Sequence, residues 1–454
     1  MFQKLRILSR RPTRPMAEEV NRPQASEPLL GLVRRLYPIC RSITGDGVRE
    51  TLAAIGEWVP LEIHEVPSGT QAFDWTVPKE WNVRDAYIAD SSGKRVIDFR
   101  TSNLHVLNYS APIDAIVDRE TLDEHLHSLP EHPDWIPYRT SYYSERWGFC
   151  LTQHQRERMP RGDYRVRIDS DLKDGALTYG ELRIPGDEPQ EVLIYTHVCH
   201  PSLCNDNLSG IAVTAALGRA LAERARRRYS YTLVFGPGTI GSIVWLSRNR
   251  ANLKRIRHGL VLGLLGDPAP HTYKRTRSGD HEVDQVAEYV LRARSAGNRV
   301  LDFSPYGYDE RQFGSPGINL PVGRLTRSVN GGYKEYHTSA DNLGLVTEQR
   351  LQESLQVALE IVDTLEANRR YVNLAPFCEP QLGKRGLYRS TGGMAIRDRE
   401  SALLWLLNQS DGSHSLLDIA RKSEIDFGSL VATAAELASA GLLEEHETVA
   451  GESA

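Results

Sequence analysis

Residues 196–210 read THVCHPSLCNDNLSG, directly behind the apolar run Val192-Leu193-Ile194-Tyr195. A short, unbroken apolar run reads as a strand buried on both faces, so the polar cluster falls at the carboxyl end of a sheet strand, where open α/β sheets carry their sites. Imidazole and carboxylate are zinc ligands, and a catalytic zinc keeps only about three protein ligands so that water can take the remaining position. His197 and Asp206 are the first two candidates. The third is sought far downstream in Tyr336-His337-Thr338-Ser339-Ala340-Asp341-Asn342, because such sites gather ligands from loops after several different strands.

Working outward, the pattern predicts a helix over 209–224, a strand over 231–235, a helix over 243–249, a strand over 258–264 and a long helix over 347–368. That alternation is the mark of an α/β domain with a mainly parallel sheet and helices on both faces. Upstream, helices are expected over 29–37 and 47–58 and a strand over 61–66. Between 68 and 165 the character changes: Trp75, Trp81, Trp135 and Trp147, several prolines and the alternating stretch Tyr164-Arg165-Val166-Arg167-Ile168 predict a small inserted β-rich domain. The expected division is a basic, disordered tail over 1–28, a catalytic domain over 29–67 and 170–372, the insertion over 68–169, and a separate unit over 376–448.

That last unit reads as three helices over 401–407, 415–422 and 429–440. Ser415 and Asp418 have the spacing of a capping box, Gly441 suits the position just past a helix end, and Leu442-Leu443 continues as a strand. A winged helix fits, which raises a DNA-binding regulator as a second class of function. The last helix, SLVATAAELASA, holds no Lys or Arg, and residues 401–454 carry nine acids against Arg421 and Lys422. Phosphate contacts need cations, so a packing or protein-contact module without nucleic acid is expected.

Composition agrees with an ordinary enzyme: 454 residues, 40% hydrophobic, net charge −4. The five cysteines, at 40, 150, 199, 204 and 378, are an odd and scattered set that points to a reducing, cytoplasmic setting rather than a disulfide framework. No apolar run reaches the roughly 18 residues of a membrane span. The first 14 residues hold Lys4, Arg6, Arg10, Arg11 and Arg14 without an acid, in the manner of a transit peptide or membrane-surface contact, but lack the apolar stretch of a secretory signal.

Four motifs occur in a fixed order: HVCHPSLCNDNLSG, GPGTIGS over 236–242, GYDERQF over 307–313 and YHTSADN over 336–342. In these the chain resembles the zinc aminopeptidase-like proteins related to peptidase family M28, and more closely the bacterial subgroup with an inserted small domain and a C-terminal winged helix, linked to surface-polysaccharide biosynthesis. The resemblance spans about 30–443. It implies a zinc exopeptidase-like fold, with His197, Asp206 and His337 as metal ligands and Asp309 as an acid just behind them. Two departures stand out. The broader family has a Glu-Glu pair ahead of the Gly-Ser that Gly241 and Ser242 match, where this chain reads Phe235-Gly236-Pro237-Gly238. The aspartate that completes a second metal site is replaced by Gly263. One zinc per chain is therefore expected.

A hydrolase still needs a proton acceptor, and Glu310 is the nearest replacement, with Asp267 and Glu335 behind it; a salt bridge to Arg311 is the competing reading of Glu310. His200 is open between a further ligand, a substrate contact and a residue that shapes the loop before Pro201. Cys199 and Cys204 are expected to pack as small apolar groups. The function expected is zinc-dependent amide hydrolysis of aminopeptidase type on a small peptide or amide, with Asp309 or Glu310 holding the substrate amine. An amidohydrolase for an acylated amino sugar and a catalytically silent metal-binding or assembly protein are the alternatives, and homo-oligomerisation is left open.

Overall fold

The central strands are apolar because both of their faces are covered. In the computed structural model, which describes residues 28–387 and 394–446, the strand Glu191–His197 lies inside an eight-stranded sheet. Its neighbours are Ser230–Gly236 and Ile256–Leu262, both parallel to it, and Val322–Thr326 continues the parallel set. Alternate side chains divide between two cores: Val192 and Ile194 face one, with Leu260 and Leu262, whereas Leu193 and Tyr195 face the other, with Val234 and Val261. This is the period-2 geometry of a strand buried on both sides.

The first core is closed by the helices Leu29–Leu36, Gly210–Ala222, Glu282–Arg294 and Glu348–Ala367. The second is closed by Ile240–Asn249 together with the insertion. The sheet edges are not parallel. Ala176–Ile184 runs antiparallel to Ser230–Gly236 and to Glu62–Pro67, and Thr272–Lys274 runs antiparallel to Val322–Thr326. The strand Ala176–Ile184 and the helix Glu282–Arg294 are absent from the sequence-based expectation.

The insertion is built on an antiparallel sheet in the order Arg95–Asp98, Glu80–Ala89, Asp163–Lys173, Ile113–Asp118. Its last strand runs to Lys173, past the expected boundary at 169, and the chain turns straight into Ala176–Ile184. The C-terminal unit also starts earlier than expected. Arg370–Asn373 is the middle strand of a three-stranded sheet with Asp411–Ser415 and Leu443–Glu445, only two residues after the long helix ends at Ala367. Its helices are Met394–Gln409, Leu416–Ser423 and Phe427–Ser439, with the Ser415/Asp418 capping box formed and Gly441 at φ +69°. Leu403, Leu417 and Leu430 belong to the same apolar cluster as the sheet, so this unit is packed onto the rest. Among the described residues no helix is long and apolar enough to cross a membrane. The expected basic tail lies, apart from Pro28, outside the described residues.

Candidate metal centre

His197 is the last residue of its strand, and the chain then loops to a tight turn, Cys204–Ser209, that carries Asp206 back beneath it. The two Asp206 carboxylate oxygens are shared out between imidazoles. His197 Nε2 lies 2.8 Å from Oδ1, and His337 Nε2 lies 3.0 Å from Oδ2. His200 Nε2 is 3.8 Å from Oδ2. The ligand atoms of His197, His200 and Asp206 all fall within 4.8 Å of one another. The three residues expected to act as ligands are thus brought together, and His200, left open by the sequence, joins them.

Burial and the mutual contacts of these groups set their protonation. Burial alone would raise the Asp206 carboxyl, but the adjoining His200 and the hydrogen bonds with His197 and His337 hold it well below the usual carboxylate range. Burial pushes the His197 imidazole down, against the pull of Asp206, and pushes His200 down to about 3. Neutral imidazoles around an ionised carboxylate are the protonation states that bind a metal. His337 sits at φ +55°, a left-handed conformation that a non-glycine residue adopts at a cost of roughly 1 kcal/mol or more, of the kind that collects at functional sites.

The asparagines flanking Asp206 have framework roles. Asn207 Nδ2 donates to Thr196 Oγ1 (2.9 Å) and to the His197 carbonyl (3.0 Å), and its Oδ1 accepts from the Leu264 amide at 3.1 Å. Asn205 Oδ1 accepts from the amides of Gly266 and Asp267. Asp341 clamps the turn from the other side, accepting from the Asn205 and Asp206 amides at 2.6 and 2.9 Å and from the Tyr333 hydroxyl at 3.0 Å.

The space left by the two absent carboxylates is occupied. A side chain at Gly263 would meet Asn207 Oδ1 at 3.1 Å and His197 Cε1 at 3.7 Å, so the place of a second-metal ligand is already lined by Asn207. A Cβ on Gly238 would fall 2.0 Å from Cε1 of Tyr308, whose ring lies 4.1 Å from the His197 ring. Tyr308 therefore fills the region beside the metal centre that a larger residue at 238 would need. Gly238→Ala is expected to destabilise the protein by about 1–3 kcal/mol through overpacking and to lower metal affinity by displacing the His197 ring; denaturant unfolding and a zinc titration check both effects.

The acidic residues separate clearly. Glu310 is fully buried and pairs with Lys274 Nζ at 2.9 Å and Arg324 Nη1 at 3.8 Å, while accepting from the Tyr308 amide at 3.0 Å. Burial opposes its ionisation, but Arg324 and Lys274 outweigh it and hold Glu310 below its ordinary value. The salt-bridge reading of Glu310 holds with these partners rather than with Arg311. Asp267 is saturated by Asn205 Nδ2, the Ala269 and Ser328 amides and the Ser328 hydroxyl. Glu335 lies 3.8 Å from Lys334. Asp309 differs from all of these: it is fully buried, neither oxygen meets a hydrogen-bond partner, and the neighbouring Ser242 hydroxyl donates to the Thr239 carbonyl. Burial pushes Asp309 up to about 8, against the pull of Ser242.

Cys199 and Cys204 are buried in the two apolar cores, and burial pushes the Cys199 thiol up to about 12. Cys199 Sγ instead lies 3.2 Å from His200 Nδ1 and 3.5 Å from the Tyr308 hydroxyl, which fixes His200 with its Nε2 toward Asp206. Sequence reasoning missed two further supports. Arg41, wholly buried, donates from Nε to the His200 carbonyl at 2.9 Å. The insertion returns to the centre at Tyr138, whose amide donates to the His337 carbonyl at 2.7 Å and whose ring lies 5.1 and 5.2 Å from those of His200 and His337.

Comparison with known proteins places this geometry. Residues 30–368 match the model of the family described as a domain of unknown function, DUF4910, and residues 369–445 match a winged helix-turn-helix. A Clostridium acetobutylicum protein, provisionally named as a polysaccharide biosynthesis protein with an aminopeptidase-like domain, is 52% identical over 400 residues, covering 88% of this chain and 92% of its own. A crystal structure of a provisionally assigned peptidase from the same organism superposes with a TM-score of 0.87 at 50% identity, over 92% of this chain and 96% of the other. A zinc aminopeptidase from Bacillus subtilis shares the fold at 10% identity, with a TM-score of 0.54 over 74% of this chain and 94% of its own. An aminopeptidase-like fold and a relative so named support a peptidase-like hydrolase. The chain belongs to the DUF4910 family, an aminopeptidase-like α/β domain followed by a winged helix.

Proposed function

We propose that the protein is a zinc-dependent amide hydrolase of aminopeptidase type that holds one metal ion per chain. The observation that carries this is the division of the Asp206 carboxylate between His197 and His337, with His200 within reach of the same point. His197, Asp206 and His337 would hold the ion, with His200 as a further donor; the donor set of neutral imidazoles and one carboxylate fits zinc. A bound zinc supplies a Lewis acid for the amide carbonyl and a water acidified toward neutral pH.

The chain's own contribution is position and proton transfer. Tyr138 and Tyr308 pack against the histidines and hold their rings in place. Glu310 is held in its ion pair, whereas Asp309 has only the Ser242 hydroxyl beside it and burial pushes its carboxyl up to about 8, near working pH, which suits a general base. Asp309 therefore replaces Glu310 as our candidate for the proton acceptor. Asp309→Asn is expected to lower kcat by roughly 10²-fold or more with zinc occupancy unchanged. The test is metal analysis of the purified protein followed by assay on a panel of amide substrates with Zn²⁺, Co²⁺ and Mn²⁺. Two tightly held ions, or parental activity in Asp309→Asn, would overturn the assignment.

The C-terminal unit is proposed as a packing module without nucleic acid. The helix Phe427–Ser439 contains no Lys or Arg, and the unit shares its apolar cluster with the sheet. Intact protein at micromolar concentration is expected not to retard duplex DNA at low salt, where phosphate attraction is strongest; a salt-sensitive shift would reverse this.

A further inference from the structure

Arg324 lies on the strand Val322–Thr326 and is only 4% exposed. A guanidinium has five N–H donors, and burying them without partners is costly. Nη1 bonds Asn330 Oδ1 and lies 3.8 Å from Glu310 Oε2, but Nε and Nη2 have no partner. Of the twelve buried side-chain atoms left without a partner among the described residues, two belong to Arg324 and two to Asp309. The unmet donors are not far from the metal centre. The Arg324 charge is felt at His197, Asp309 and Tyr336, and Asn330, which holds Nη1, also donates to the Tyr336 hydroxyl at 3.3 Å. Tyr336 in turn stacks on His337 at 3.9 Å and 12°.

The local charge count points the same way. Lys274 and Arg324 face the single carboxylate of Glu310, and Lys274 also donates to the Tyr306 carbonyl at 2.7 Å. Glu310 is thus shared between two cations, and Asp309, the other acid that feels Arg324, is disfavoured as an anion by burial. Adjacent guanidinium Nε and Nη2 groups form the edge that takes a carboxylate through two parallel hydrogen bonds.

We infer that Arg324 is a specificity residue that receives, on Nε and Nη2, a carboxylate carried by the substrate close to the amide that is cleaved. The preferred substrates are then carboxylate-bearing amides, such as N-acylated amino acids or amino-sugar acids. The inference rests on the amide-hydrolase reading for the reaction, but carboxylate binding can be measured without turnover.

Calorimetry on the zinc-loaded and the metal-stripped protein compares N-acetyl-L-alanine with its neutral methylamide, and N-acetylmuramic acid with neutral N-acetylglucosamine. The acid of at least one pair is expected to bind tenfold or more tightly than its neutral partner, in both metal states, and the pair that discriminates identifies the carrier. Arg324→Gln is expected to abolish the preference, and Arg324→Lys to recover part of it. Should Arg324→Gln fail to fold, Asn330→Ala serves instead: it frees Nη1 and misaligns the fork, and should reduce the preference. Equal binding of acid and neutral partner, no binding of either, or a preference that survives in Arg324→Gln overturns the inference. A carboxylate preference without hydrolysis of any amide would retain it while removing the hydrolase reading.

Discussion

Asp206→Asn is expected to lose zinc almost completely, with affinity falling by more than the 10- to 100-fold typical of removing a group that merely supports a ligand. The amide keeps the size and most of the hydrogen-bonding capacity of the side chain, so the change isolates the charge. The carboxylate is hydrogen-bonded to both His197 and His337 and lies close to His200. The measurement is metal content after dialysis, with a competing chelator to set the scale. His337→Ala is expected to fall less steeply, because His337 is one-third exposed and the other donors are wholly buried. Full metal retention in Asp206→Asn would remove the centre proposed here.

The second large effect is on stability. Glu310→Gln is expected to destabilise the fold by about 3–5 kcal/mol, because removing one partner of a buried ion pair leaves the other charge uncompensated. Here two cations lose their anion: Lys274 at 2.9 Å and Arg324 at 3.8 Å, with the Glu310 side chain fully buried. Denaturant unfolding of parent and variant measures the difference. Zinc content of the folded fraction is expected to stay at the parental level, since the Glu310 carboxylate is bonded to Lys274 and the Tyr308 amide rather than to the histidines. Unchanged stability together with a kcat loss of roughly 10²-fold would return the role of proton acceptor to Glu310.

The frame of this protein was legible because its signals are periodic. The run Val192 to Tyr195 alternates between two cores and has to be a buried strand, and the Ser415/Asp418 and Gly441 positions announced the ends of C-terminal helices that formed as expected. The strand Ala176–Ile184 was hidden because it is buried along nearly its whole length and so lacks the alternation of a half-exposed strand, although Asp174-Gly175 ahead of it is a turn signal that could have found it. At the centre, His197, Asp206 and His337 could be named from their motifs, yet the partner of Glu310 could not. Lys274 is 36 positions away from it and meets it only through the pairing of Thr272–Lys274 with Val322–Thr326. Tyr308 was overlooked for a similar reason. Its contact with Gly238 spans 70 positions, and nothing local in either segment marks it.

The insertion does more than decorate the sheet. Its segment at Ile136 exchanges bonds with Ser339, amide to hydroxyl at 2.9 Å and amide to carbonyl at 2.8 Å, while Tyr138 bonds the backbone of His337 itself. Backbone bonds of this kind are indifferent to side-chain identity but depend on exact register. The two modules are therefore poor candidates for exchange by recombination. A chimera that kept every metal ligand but borrowed the insertion of a relative with a different loop length would place His337 out of reach of Asp206, so lineages of such proteins must inherit the two pieces as one.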